Sequence, residues 1–222
     1  MSPDAKLIFL SVARWPWGNG AASVWRVVTG GRRRNLRNRL VTAALAWGLA
    51  LAGAGAGHAQ DQADDGMDCV YEELVDNYEL VAEVFLYGDL TEEEGAEADK
   101  AVEAAQTSCA TKHGYTPGQR EAAGELGILA SALDYLSEEL MFSGVSDAAL
   151  DGVLDAYDNF TDDDVDALFD PDWRSDAAFL GKLKAQMLSA GIPDEADLID
   201  IALTMLEIAA LVEEASYMFI LE

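Results

Sequence analysis

Two cysteines most constrain how this chain can fold, because they stand symmetrically about a turn. From residue 67 to residue 114 the apolar residues recur at spacings of three and four, which predicts helices. The break lies at residues 88–91, and Cys69 and Cys109 each stand 20 residues from Asp89. Because a helix rises about 1.5 Å per residue, two antiparallel helices bring these positions level. The sequence therefore predicts a hairpin closed by a Cys69–Cys109 disulfide, with Cα atoms ~5.5–6 Å apart.

The segment before this hairpin has the composition of an export signal at residues 32–59. Five arginines precede a short apolar run at residues 40–51, and small residues precede Gln60. We predict cleavage between Ala59 and Gln60 and a periplasmic or secreted product. The alternative is a membrane-spanning helix, but the apolar run is shorter than the ~20 residues that a span requires. Residues 1–31 fit no pattern, and we interpret them as a non-structural extension upstream of the true translation start.

The remaining chain predicts one domain. Residues 60–66 are polar and predict a flexible leader, and residues 67–222 are long enough to bury a core. No stretch alternates with period two between turn signals, so no strand is predicted. The fold class is an all-α, single-domain helical bundle of about six or seven helices, the first two forming the disulfide-stapled antiparallel hairpin.

Capping residues predict where several helices begin. Thr91 is followed three residues later by Glu94, which is the spacing of a capping box. Thr116 precedes Pro117, a residue favoured in the first turn of a helix. Further starts are predicted at Ser146, Thr161, the turn 170–172 and Pro193.

The last predicted helix is apolar on more than one side. Two interpretations follow: it is the central core helix, which we prefer, or part of it forms a homodimer interface that no neighbouring helix covers. The second apolar surface comprises Leu206, Ala210, Leu211, Tyr217, Met218, Ile220 and Leu221.

The charge balance after residue 59 is extreme. It comprises 40 acidic and 6 basic residues, a net charge near −34. Most carboxylates must therefore be solvated or screened by cations, and we expect salt to stabilise the fold. No basic patch is present to meet phosphates, which excludes nucleic acid as a partner and disfavours anionic membranes. Such a negative charge suits a basic protein partner, a cationic ligand or a saline habitat. Simple solubility is the plainest explanation of the charge.

One acidic run suggests a calcium site, but the residues next to it weaken that hypothesis. Three aspartates match the first, third and fifth positions of an EF-hand loop, but Ala167 replaces the required glycine and Trp173 the bidentate glutamate. A helix start capped by Thr161 explains the run better, so we predict no metal and no cofactor. The three aspartates are Asp162, Asp164 and Asp166.

The sequence assigns no catalytic residue. His113 is the only histidine after the predicted cleavage point, and it suits the negative end of a helix. A Cys/His pair requires a free thiol, which the disulfide removes. Acids on apolar faces, namely Asp134, Asp200 and Glu207, are the better candidates for acid/base chemistry, but in a chain so acidic such positions are common. Tyr135 and Trp173 could line a pocket, although aromatic residues in helices usually pack in the core.

These patterns favour a non-enzymatic exported protein that engages basic proteins or cationic ligands. One alternative is a carboxylate-based periplasmic hydrolase, which needs two acids with perturbed pKa values in one cleft. Another is a helical domain whose acidity only reflects a saline environment.

Overall fold

A computed structural model describes residues 66–88 and 91–222. The predicted extension, the export signal, the Ala59–Gln60 cleavage point and the leader up to residue 65 lie outside the described residues. The described residues are all-helical and contain no strand, as predicted. Their helices are α1 Cys69–Glu73, α2 Tyr78–Tyr87, α3 Glu92–His113, α4 Pro117–Phe142, α5 Asp147–Asp158, α6 Asp162–Leu168, a 3₁₀ turn Trp173–Ser175, α7 Ala177–Ala190 and α8 Ala196–Leu221.

The first predicted helix is interrupted, so the described residues contain eight α-helices rather than six or seven. The break spans residues 74–77, where the Asn77 amide donates to the Leu74 carbonyl at 2.8 Å. Asp76 and Asn77 have short polar side chains that compete for backbone hydrogen bonds and favour turns over helix interiors. The periodicity of apolar residues continues through the break, which is why periodicity alone did not reveal it.

The Cys69–Cys109 disulfide is present, with Cα atoms 5.9 Å apart. Both cysteines are buried. Because of the break, the bond joins the first and third helices rather than the first two, which corrects the predicted connection.

Local capping predictions are confirmed at four helix starts. The Thr91 hydroxyl accepts from the Glu94 amide at 3.2 Å, and Thr116, Ser146 and Thr161 cap α4, α5 and α6 in the same way. The predicted start at Pro193 is wrong, because α8 begins three residues later, at Ala196.

The core forms where α4 and α8 pack together. Helices α1, α2 and α3 also pack on α4, while α5 and α7 pack on α8 and on each other. In α8, Leu206 and Ala210 are buried within the chain, so part of the predicted second surface belongs to the core. The exposed part is at the C-terminal end, where Ile220 is 64% and Leu221 59% exposed.

Gly127 permits a close approach of α1 to α4. A Cβ atom there would lie 2.6 Å from Val70 Cγ1 and 3.3 Å from the backbone nitrogen of Tyr71. Such separations are shorter than van der Waals contact, so only glycine lets the two backbones lie this close.

Candidate interaction surface

The carboxylates lie on the outside of the fold. No aspartate or glutamate in the described residues is fully buried: most are exposed, and the rest are half-buried. Helix α5 shows the pattern in its simplest form: Asp147, Asp151 and Asp155 recur every four residues on its exposed side, and Ala149 and Val153 are buried on the other. Side chains four residues apart on a helix are neighbours, so these like charges repel one another.

Within residues 66–88 and 91–222, three of the six basic residues that follow residue 59 pair with acids. Lys182 Nζ lies 2.5 Å from Asp164 Oδ1, and Lys184 Nζ lies 2.9 Å from Asp194 Oδ1. Both side chains of the second pair are exposed to solvent, and exposed ion pairs contribute little to stability. These internal pairs neutralise few of the carboxylates, so the surface field remains strongly negative.

Arg174 joins two of the acids that the sequence singled out. Its guanidinium donates to Asp200 at 2.5 Å, to the Thr204 hydroxyl at 3.0 Å and to Glu207 at 3.4 Å, and it lies 4.5 Å from the centre of the Trp173 ring. Burial raises the pKa of the Glu207 carboxyl, while the charge of Arg174 and its hydrogen bond oppose that rise. A single guanidinium bridges the two carboxylates and so holds the 3₁₀ turn on α8.

Tyrosine hydroxyls on α1 and α2 donate to carboxylates on α4. Tyr71 donates to Asp134, the third acid singled out from the sequence, and Tyr78 donates to Glu138 at 2.7 Å. Hydrogen bonding to these carboxylates, followed by burial, raises the pKa of Tyr71 and of Tyr78 to about 12. Both tyrosines fit the apolar spacing of the predicted helices, and that spacing does not reveal the polar role of their hydroxyls.

A second tyrosine–carboxylate group lies where the C-terminal parts of α2 and α4 meet. The rings of Tyr87 and Tyr135 contact edge to face with centroids 6.4 Å apart, and the Tyr135 hydroxyl donates to Glu83 at 3.3 Å. Burial raises the pKa of both tyrosines, and the charges of Glu139 and Glu83 raise it further. The Glu139 Oε2 atom is buried, and no group among the described residues donates a hydrogen bond to it. We call these four residues the Tyr87 cluster.

The aspartates of the calcium hypothesis form a helix start. The Thr161 hydroxyl accepts from the Asp164 amide at 3.3 Å, and the Thr161 amide donates to the Asp164 carboxylate at 3.0 Å. Asp162 and Asp164 lie in the first turn of α6 and Asp166 in its middle. No group of three or more potential ligands in the described residues is arranged to hold a metal ion.

His113 lies in the last turn of α3, as predicted, and contributes to packing. Its ring stacks on Tyr115 with centroids 5.6 Å apart, and Tyr115 contacts Phe219 edge to face at 5.3 Å. The Tyr115 hydroxyl donates to the Gly66 carbonyl, which ties the start of the described chain to the end of α8.

Comparisons with known protein families, with characterised proteins and with solved structures found no match to this chain. Within the part of the chain that the structure describes, no helix combines the length and the apolar character needed to cross a membrane.

Proposed function

We propose that this protein is an exported, non-enzymatic interaction protein whose acidic surface engages basic proteins or cationic ligands. The observation that carries the proposal is the placement of the carboxylates: none is fully buried in the described residues, and few form an ion pair with a basic side chain in that part of the chain. Such a surface attracts basic partners over long range and accelerates their association.

We also propose that α1 and α2 fold back on α3 as one disulfide-stapled hairpin in a periplasmic or secreted protein. Helices α1 and α2 both pack on α3, and the buried Cys69–Cys109 bond ties the start of this unit to the end of α3. Disulfides persist in oxidising compartments, which supports export.

Fewer observations support the alternative functions. Desolvation raises the pKa of Glu207, which Arg174 holds, and that of Glu125, which is exposed on α4 with the charges of Glu214 and Glu121 nearby. No observation in the described residues therefore favours a hydrolase. Self-association through the exposed C-terminal end of α8 is a secondary proposal, which sedimentation equilibrium tests directly.

The test is a binding titration of residues 60–222 with a hexalysine peptide at increasing salt. We expect binding that weakens steeply with ionic strength, and no binding of a hexaglutamate control. A variant with Asp147→Asn, Asp151→Asn and Asp155→Asn removes three exposed charges and should bind more weakly. Absence of hexalysine binding at low salt, or an affinity that ignores ionic strength, would contradict the proposal. A fold that is stable only in concentrated salt would favour the saline explanation.

A further inference from the structure

Hydrogen bonds between tyrosine hydroxyls and carboxylates join α1 and α2 to α4. The Tyr71 hydroxyl of α1 donates to the Asp134 carboxylate of α4. The Tyr78 hydroxyl of α2 donates at 2.7 Å to Glu138, which lies one turn further along α4. Each bond joins residues that are far apart in the chain, so these hydroxyls help to hold the first two helices on the central one.

The same contact has a bond in the opposite direction and no ion pair between described residues. The Tyr135 hydroxyl of α4 donates to the Glu83 carboxylate of α2 at 3.3 Å. Every ion pair between two described residues lies within residues 164–207, in the second half of the chain. The polar contacts of α1 and α2 with α4 therefore use neutral phenols where the later helices use basic side chains.

A tyrosine hydroxyl can donate these bonds only while it is protonated. Hydrogen bonding to the carboxylate, followed by burial, raises the pKa of Tyr71 and of Tyr78 to about 12. Burial and neighbouring groups also raise the pKa of Tyr135. A pKa that is raised above its unfolded value of about 10 stabilises the fold below pH 10, and this stabilisation is lost as the pH rises through the raised value. The loss therefore falls between about pH 10 and about pH 12.

The groups that face these hydroxyls would repel a phenolate. They come from α2 and α4, and they are carboxylates or another tyrosine, so ionisation removes a donor and adds a like charge at the same contact. Asp134 and Glu138 face Tyr71, the side chains of Glu138, Glu79 and Asp134 face Tyr78, and those of Tyr87, Glu83 and Glu139 face Tyr135.

We propose that the hydroxyls of Tyr71, Tyr78 and Tyr135 form an alkali-sensitive clasp that holds α1 and α2 on α4. When the phenols lose their protons, α1 and α2 separate from α4 before α7 and α8 unfold. The buried Cys69–Cys109 disulfide keeps the released segment joined to α3. The clasp is a property of the fold, and it does not depend on the proposed binding function.

The experiment follows methyl NMR signals of the protein as the pH rises from about 8 to about 12. Leu74 and Val81 are buried reporters in the α1–α2 segment, and Leu183 and Met187 are buried reporters in α7. We expect the first two signals to leave their native positions at a lower pH than the other two. Arg174 keeps its charge over this range, so its contacts with α8 persist.

Matched substitutions of tyrosine by phenylalanine separate the clasp from general alkaline unfolding. Tyr71→Phe/Tyr78→Phe/Tyr135→Phe should move the change in the α1–α2 signals up to the pH at which the α7 signals change. Tyr78→Phe alone should move it part of the way. Tyr157→Phe removes a hydroxyl that donates from α5 to Glu213 of α8 at 2.5 Å, and it should leave the α1–α2 change where it is in wild type.

Two results would overturn the clasp. If the α1–α2 and α7 signals of wild type change at the same pH, the segment is not released first. If neither the triple variant nor Tyr78→Phe moves the α1–α2 change, the hydroxyls do not control it. Tyr78→Phe decides this second point by itself if the triple variant does not fold.

Discussion

Replacing both cysteines with alanine should remove a large part of the stability of this domain. The Cys69–Cys109 bond closes a loop with a sequence separation of 40, and it restricts the unfolded chain accordingly. The chain-entropy treatment assigns such a loop about 4 kcal/mol at 25 °C. Both side chains are buried, so alanine fits each site without introducing a polar group. The loss is large beside a typical free energy of unfolding of about 5–15 kcal/mol.

The measurement is urea unfolding of residues 60–222, followed by circular dichroism. For a urea dependence of about 2 kcal/mol per molar, a loss of about 4 kcal/mol lowers the midpoint by about 2 M. Wild type treated with a reductant serves as the control, because it has the same open loop with the native side chains. Its midpoint should fall to nearly that of the Cys69→Ala/Cys109→Ala variant.

Two results would refute this reasoning. A loss below about 1 kcal/mol would show that the unfolded chain is not restricted as the loop predicts. Alkylation of both thiols in the unreduced exported protein, detected by mass spectrometry, would show that the bond does not form and would remove the support it gives to export.

Three further predictions concern stability. The melting temperature should rise from low to physiological salt, because screening weakens repulsion among the carboxylates; a flat or falling value would contradict the charge argument. Gly127→Ala should lower the free energy of unfolding by about 1–3 kcal/mol, because the added Cβ clashes with Val70. Gly181→Ala should raise it by about 0.5–1 kcal/mol, because no atom lies within 4 Å of the added Cβ. Chemical denaturation of the two variants measures both changes. Burial raises the pKa of Glu207 in the fold despite Arg174, so protonation of this group favours the folded state as the pH falls through that raised pKa. This contribution to the pH dependence of melting should disappear in Glu207→Gln, and identical pH profiles of the two proteins would argue against it.

Helix starts were predictable because capping is a local interaction. Thr91 and Thr116 each accept a hydrogen bond from an amide three residues later, and both partners lie in the same short segment. The break at residues 74–77 was not predictable from periodicity, since apolar residues continue through it and the polar pair there is only a weak signal. The shift of the last helix start from Pro193 to Ala196 has the same origin, because helix boundaries depend on weak local preferences.

The candidate surface was predictable in its charge and not in its arrangement. Composition alone shows that acids greatly exceed bases. It does not show that Asp200 and Glu207 share Arg174, or that Tyr87 contacts Tyr135 from another helix. Those contacts join residues far apart in the chain, and one sequence carries no record of such pairings.

The sequence by itself determined the helical class, the capped helix starts and the negative charge, because periodicity, capping and composition depend on neighbouring residues or on none. Only the tertiary structure decided which helices the disulfide joins and that Leu206 belongs to the core. It alone brought Glu139 and Glu83 beside the same two tyrosines. The physical reason is that packing brings together side chains whose separation along the chain leaves no periodic trace.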